Sequence, residues 1–304
     1  MPKLFAEIAQ DFLEDRKNYI KPSTYALYRW DVENVFIRYF KEQDKSFKEQ
    51  IQDFALSQIK AGLKAKTVKC RVSLAQSIFY YGCSKENWTY QKIDVQYPAF
   101  EERKSLAVLT LEEQKKLLHY LEDRFSFHNL DISLCLQTGL RIGEICSLKF
   151  QDIDVEKGIL SVRRTIQRIR SFEDGRTEIH IDHPKTAGSE REIPIFHSLL
   201  KSLKFIIKMV EPHHYVLTNK EKPLEPRTLR AYFSRLLKKL DMPQIHFHGL
   251  RHSFATRCVE AGCDYKTLSA ILGHSSIGTT MNLYVHPDNQ QKKKCIDKMM
   301  SLLK

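Results

Sequence analysis

The sequence predicts a mainly α chain with a small antiparallel β-sheet. Three observations carry this. Apolar residues recur at three- and four-residue spacing along most of the chain, the signature of amphipathic helices. A single region, 158–195, instead alternates or clusters β-branched residues between turn signals. The length, 304 residues with 42% hydrophobic, is too great for one ordinary core and suits two domains.

The first expected domain spans 1–86 and is helical. In KPSTYALYRWDVENVFIRYF, Pro22 and Ser23 open a run with Tyr25, Leu27, Tyr28, Val32, Val35, Phe36 and Tyr39 at helical spacing. FKEQIQDFALSQIKAG gives a second helix that stops at Gly62. KAKTVKCRVSLAQSIFYYGC gives a third, whose polar face holds Lys64, Lys66, Lys69 and Arg71. That face fits either a solvated surface or a helix laid along a nucleic-acid backbone. Periodicity fades over 84–106, so 87–106 reads as an interdomain linker.

The second expected domain spans 107–304. Thr110 with Glu113 three residues later forms a capping box, and helices continue to about Phe150. GILSVRRTIQRIR and TEIHID read as strands joined by the turn SFEDGR. REIPI is a further short strand, and the polar turn HPKTAGSE before it carries Lys185. Helices then resume in HSLLKSLKFIIKMV and EPRTLRAYFSRLLKKL. The tail, about 288–304, is amphipathic, with Cys295, Ile296, Met299, Met300 and Leu303 in one stripe.

Lys plus Arg number 49 against 37 Asp plus Glu, a net charge of +12, which points to a polyanionic partner such as nucleic acid. No apolar run approaches the roughly 20 residues of a membrane span, and no signal-type block opens the chain; a cytoplasmic protein without membrane contact is expected. The seven cysteines are scattered, with no CxxC, as expected of reduced thiols.

The chemistry-bearing stretches lie between 138 and 284. In HFHGLRHSFAT, His246, His248 and His252 do not share one helical face, and no carboxylate lies among them, so no metal site is expected. His248 and Arg251 instead sit three apart at a helix start, where dipole and free N–H groups favour an anion. A guanidinium fork matches phosphate oxygens. A second arginine, Arg141, follows the same Gly-Leu pair in TGLRIGEICSLKF, with Glu144 one turn on and able to orient it. Taken alone, each arginine reads better as a surface salt bridge; the Gly-Leu pair repeated before both, next to a helix start, weakens that reading in favour of a phosphate site.

Together these stretches resemble the tyrosine recombinases, the phage-integrase and Xer-type strand-exchange enzymes. TGLRIGE resembles the first-arginine box with Arg141, HPKTAGSEREIPI the lysine segment with Lys185, HFHGLRHSFAT the H-x-x-R box with His248 and Arg251, and LGHSSIGTTMNLY the last box with His274 and Tyr284. The resemblance runs over about 107–290; the N-terminal helices match in type and position alone.

The resemblance implies a helical core-binding domain and a catalytic domain closing as a C-shaped clamp on double-stranded DNA. It implies Tyr284 as nucleophile forming a 3′-phosphotyrosyl link, Arg141, Arg251 and His274 neutralising the transition state, His248 in proton transfer, and Lys185 protonating the leaving 5′-oxygen. Glu144 would hold the arginines rather than react. No metal, ATP or other cofactor is needed by such a set. Strand exchange through a Holliday junction at inverted-repeat core sites would involve a homotetramer on two duplexes, assembled from a monomer. The tail would dock on a neighbouring protomer, or else pack on its own domain. Arg227, Arg230 and Arg235 would line a base-reading helix; an ordinary solvated face fits them equally. The early start of the helical domain suggests a simple integrase or Xer-like resolvase. A type IB topoisomerase-like relaxing enzyme is the alternative.

Overall fold

The computed structural model describes residues 4–40, 46–86, 88–98, 107–170, 176–182, 190–284, 293, 296–297 and 299–301, with Tyr284 described by its backbone. The chain divides into two compact units: Met1–Lys104 with Ile169–Glu178, and Ser105–Arg168 with Ile179–Lys304.

The first unit is helical: α1 (Phe5–Arg16), α2 (Pro22–Asp31), a π-turn (Val32–Phe36), α3 (Ile37–Tyr39), α4 (Phe47–Lys60) and α5 (Ala65–Lys85). The run from Pro22 is therefore not one regular helix. In the π-turn the Ile37 N–H donates to the Val32 carbonyl, five residues back. The wider turn accompanies burial of Val32, Phe36 and Phe40 while Leu27 stays exposed. Phe40 packs on Phe5, Phe47 and Phe54, and Phe47 stacks on Phe79 of α5 with ring centroids 4.4 Å apart. Ser46 caps α4: its hydroxyl accepts from the Glu49 N–H, and its own N–H donates to the Glu49 carboxylate.

Part of the stretch read as a linker packs on this unit. Ile93 and Val95 are buried in its core. Gln52 exchanges two hydrogen bonds with the Gln96 backbone, both 2.9 Å. The Trp88 indole lies over Gly82, where a Cβ would come within 2.7 Å of it. The sequence there lacks periodicity because it is extended chain held by side chains, not because it is unattached.

The second unit contains α6 (Leu111–Asp123), α7 (Phe127–Thr138), α8 (Ile142–Cys146), a 3-10 turn (Phe150–Asp152), strands β1 (Ile153–Asp154), β2 (Ile159–Val162), β3 (Thr165–Arg170) up to Arg168, β4 (Thr177–Asp182) from Ile179, and β5 (Arg191–Pro194), then α9 (His197–Ile207), α10 (Pro226–Lys239), α11 (His248–Glu260), α12 (Tyr265–Leu272) and α13 (Ile277–Tyr284). Thr110 and Glu113 cap α6 reciprocally, as the sequence predicts. The central helix is α7, buried on nearly every side and packed against α6, α10 and α11.

Among the described residues the strands form two small sheets rather than one. β1, β2 and β5 pair antiparallel in that order, with Leu160 opposite Ile193; β3 and β4 form a separate pair. The run 158–170 breaks at Arg163 and Arg164. There Arg164 turns to the Asp152 carboxylate and the Ser147 carbonyl. Of the tail helix expected over 288–304, Lys293, Ile296, Asp297 and 299–301 are described, and they are helical. Ile296, Met299 and Met300 are exposed; Cys295 and Leu303 lie outside the described residues.

Candidate active site

Three chain segments converge in the second unit, and backbone carbonyls are what bring them together. Helix α7 ends at Gly139, whose φ of +67° is the left-handed conformation that closes a helix without steric cost. A side chain would not fit there in any case, since a Cβ would meet Phe254 at 2.6 Å. Two residues later Arg141 caps the short α8 from an extended conformation. Helix α12 ends the same way at Gly273, with φ of +62°.

The arginines donate to the carbonyls at these two ends. Arg251 of α11 gives one Nη to Gly139 O at 2.8 Å and the other to Leu272 O at 2.7 Å. It is 2% exposed, the largest fully buried side chain described. Arg141 donates through Nη2 to Gly273 O and through Nη1 to Glu144, both at 2.8 Å. Its side chain is 35% exposed. The two arginines predicted from separate motifs thus share one site, one buried and one open.

Glu144 is buried and shared. Its Oε1 accepts from Arg141 Nη1, while its Oε2 accepts from the Arg141 N–H at 2.8 Å and from Arg191 Nη2 at 2.9 Å. Burial alone would raise this carboxyl; hydrogen bonding and charge from Arg191, then Arg141, outweigh it and hold the group below its ordinary value. Glu144 is therefore a fixed anion.

His274 follows Gly273. Its Nδ1 lies 2.7 Å from the hydroxyl of Thr280, a fully buried residue of α13. Burial, then the charges of Arg251, Arg141 and Arg191, lower its imidazole to about 4. The ring of His248 reaches solvent, yet the surrounding protein strips much of its water, and His252, Arg251 and Arg141 add positive charge. Its imidazole falls to about 4 as well. Both histidines are neutral at pH 7. His252 packs edge-on to His248 at 4.5 Å and is also lowered, by burial and by Arg251.

Tyr284 ends α13, one turn beyond Thr280. Lys185 lies outside the described residues. Sequence reasoning missed Thr280 and Arg191. Thr280 carries no signal beyond its place before Tyr284. Arg191 does carry one: with Ile193 and Ile195 it alternates along one strand face, and both isoleucines are buried. An arginine on the core side of a strand is a candidate partner for a buried anion.

Among the described residues, the one group of His, Cys, Asp or Glu close enough to share a metal ion is His213, His214 and Glu221, apart from HFHGLRH. Lys64, Lys66 and Lys69 are exposed along the start of α5. Arg71 differs from them. It donates to Asp31 at 2.9 Å and Gln58 at 2.6 Å, and lies over the Trp30 ring. Arg227, Arg230 and Arg235 are exposed on α10. Arg227 and Arg230 also line a groove of about 470 Å³ with Gln167 and Arg168 of β3.

Comparison with known proteins follows the same segments. The profile of the Phage integrase family matches residues 107–291. A XerC-like tyrosine recombinase of Caldanaerobacter subterraneus is 30% identical over 281 residues, 83% of this chain and 70% of the relative. The ICEBs1 integrase of Bacillus subtilis is 27% identical over 297 residues, 93% of this chain and 79% of its own. The transposase of transposon Tn916 from Enterococcus faecalis is 32% identical over 197 residues, 59% of this chain and 47% of the transposase, so the match spans about half of that relative. Among solved structures, the Tn1549 transposon integrase in complex with transposon right end DNA superposes with a TM-score of 0.80 at 22% identity, covering 98% of this chain and 100% of that one. A lambda integrase tetramer bound to a Holliday junction gives 0.66 at 18% identity, covering 95% and 80%. At such identities the structural likeness speaks for the fold.

Proposed function

The chain belongs to the phage integrase family of tyrosine recombinases, and from that premise we propose how it performs site-specific DNA strand exchange and which residues do so. The observation that carries the reading is the convergence of Arg141, Arg251 and His274 on the carbonyl ends of α7 and α12. Two fixed cations and a neutral imidazole at one place suit a phosphodiester that gains charge in its transition state.

The Tyr284 phenol oxygen attacks phosphorus; the P–O5′ bond breaks and a 3′-phosphotyrosyl link forms. His248, neutral and so able to accept, takes the phenol proton. Lys185 gives a proton to the departing 5′-oxygen. In the reverse step a 5′-hydroxyl from the partner strand attacks, and the tyrosine leaves with its proton restored. The bond energy is kept throughout, so no nucleotide hydrolysis is required. Arg141 and Arg251 bind the non-bridging oxygens. His274 adds a hydrogen bond to the same oxygens through Nε2, its other nitrogen being engaged by Thr280.

The partner is DNA. Residues 1–86 would form the core-type DNA-binding domain, 87–106 the connection, and 107–304 the catalytic domain. Exposed Lys64, Lys66 and Lys69 would contact phosphates, and Arg227, Arg230 and Arg235 would approach base edges. Arg71, already paired with Asp31, would support the fold of the first unit instead. Exchange at inverted-repeat sites would proceed in a tetramer through a Holliday junction, with the tail joining protomers; the exposed Ile296, Met299 and Met300 suit such a contact. Integration of a mobile element and resolution of chromosomes or plasmids both fit, and both belong in the cytoplasm. Membership of a recombinase family favours exchange over simple relaxation.

Covalent capture tests this. The protein is mixed with sheared DNA of its source cell in EDTA and quenched with detergent, and protein-bound DNA is sequenced. Recurring inverted-repeat sites held by wild type and absent with Tyr284→Phe are expected. Equal trapping by Tyr284→Phe would remove Tyr284 as nucleophile.

A further inference from the structure

Arg141 does not face Glu144 alone. Arg191 of β5 also donates to it, through Nη1 to Oε1 at 3.1 Å and through Nη2 to Oε2 at 2.9 Å. One carboxylate thus sits between two guanidinium groups, whose settings differ. The Arg191 side chain is 6% exposed against 35% for Arg141. Arg191 is further anchored by its Nε, which donates to Ile271 O at 2.5 Å. It also fills the space over Gly273, where a Cβ would come within 3.0 Å of its Nη1. It therefore cannot swing toward a ligand, whereas Arg141 opens to solvent.

The charges then decide the role. Glu144 carries one negative charge and the two arginines two positive ones. With Arg191 present the trio keeps one net positive charge, and Arg141 is where it meets solvent. Without Arg191, Glu144 becomes the sole counter-ion of Arg141, the pair is neutral, and an incoming phosphate meets an arginine already matched. We propose that Arg191 is a positioning residue for strand cleavage: as the fixed counter-ion of Glu144 it leaves the charge of Arg141 for the phosphate. This rests on the recombinase reading only in taking the anion to be the scissile phosphate.

A simple structural brace and a charge-balancing residue behave differently. If Arg191 acts by balancing charge, the harm done by removing it comes from Glu144, and removing that charge too undoes much of it. The full-length chain is prepared as wild type, Arg191→Gln, Arg191→Lys, Glu144→Gln and the Glu144→Gln/Arg191→Gln double variant, with thermal unfolding recorded for each. Orthovanadate, titrated by calorimetry at constant chloride, is a probe that needs no DNA. Arg191→Gln is expected to bind it about tenfold more weakly, and the double variant to recover to within about threefold of wild type. Arg191→Lys, which keeps the charge but not the fork, falls between.

The second readout is the single-turnover rate of covalent adduct on captured DNA. Loss of about a hundredfold is expected for Arg191→Gln, the scale of a lost transition-state donor, with about tenfold regained in the double variant. If Arg191→Gln does not fold, Glu144→Gln is compared with the double variant: removing Arg191 once Glu144 is neutral should change vanadate affinity less than about threefold. The proposal is overturned if Arg191→Gln binds vanadate like wild type, if the double variant is no better than Arg191→Gln, or if wild type binds no vanadate. Absence of adduct with wild type would count against the recombinase reading, and the vanadate series would still decide the role of Arg191.

Discussion

Arg251 and Arg141 are expected to do similar chemistry from unlike settings, so conservative replacement should separate them. Arg251 is 2% exposed, and its two Nη groups span the Gly139 and Leu272 carbonyls at 2.8 and 2.7 Å. A lysine ammonium is a point donor and cannot span two carbonyls that need a fork. Arg251→Lys therefore keeps one bond, loses the other, and leaves a buried carbonyl at the end of α7 or α12 unsatisfied. A charged hydrogen bond is worth about 1.5–3 kcal/mol, so a loss of about 2 kcal/mol is expected. Arg141→Lys should cost less than about 1 kcal/mol, because that side chain is a third exposed and Glu144 keeps Arg191. Both should lose adduct formation by about a hundredfold or more. Urea unfolding gives the stabilities at unchanged slope, and single-turnover capture gives the rates. Equal midpoints for Arg251→Lys and wild type, or an Arg141→Lys destabilised as much as Arg251→Lys, would refute the division of roles.

Five further outcomes follow from the same geometry. Thr280→Val removes the hydroxyl at 2.7 Å from His274 Nδ1, so adduct formation should slow about tenfold while DNA affinity stays, read by capture and by gel shift. Lys66→Ala or Lys69→Ala should flatten the log–log salt dependence of DNA binding by about one. Arg71→Ala should leave that slope alone and lower the melting temperature of the first unit, because its partners are Asp31 and Gln58. The His248 and His274 ring resonances should titrate near 4 in the free protein; a lowered histidine stabilises the fold above its unfolded value near 6.5, and that contribution is lost as pH falls toward 4. Asp131 of α7 is fully buried, and neither carboxylate oxygen has a hydrogen-bond partner among the described residues; burial raises it well above the ordinary value. Because the folded value lies above the unfolded one near 3.8, stability falls as pH rises from there toward the raised value, so Asp131→Leu should gain about 1–3 kcal/mol near neutrality and remove that slope.

The sequence made some of this legible and hid the rest for physical reasons. The helix start at Thr110 was readable because its cap is a local bond between residues three apart. The two candidate arginines stood out because each follows Gly-Leu, with Gly139 closing α7 and Gly249 in the first turn of α11. What could not be read depends on contacts distant in sequence. The π-turn at Val32–Phe36 goes with burial of Phe36 and Phe40 among aromatics of α1 and α4, which periodicity alone does not reveal. Residues 88–98 look like a linker because their backbone partner, Gln52, lies on a helix 44 positions away from Gln96. Arg191 pairs with Glu144 across 47 positions, and only its place on the inward side of β5 hints at a role.

Helix ends explain why so much of the site converges. The last carbonyls of any α-helix have no partner within it, and cations are favoured there. Glycine closes both α7 and α12, leaving the Gly139, Leu272 and Gly273 carbonyls to be satisfied from outside. Arg251 satisfies the first two and Arg141 the third. The bonds that complete two helices are therefore the bonds that aim two guanidinium groups at one spot. Since the fold itself needs them, the arginines hold that arrangement before any phosphate arrives. Electrostatic catalysis is strongest when charges need not reorganise during the reaction. A site assembled from obligatory helix-end bonds meets that condition through folding alone.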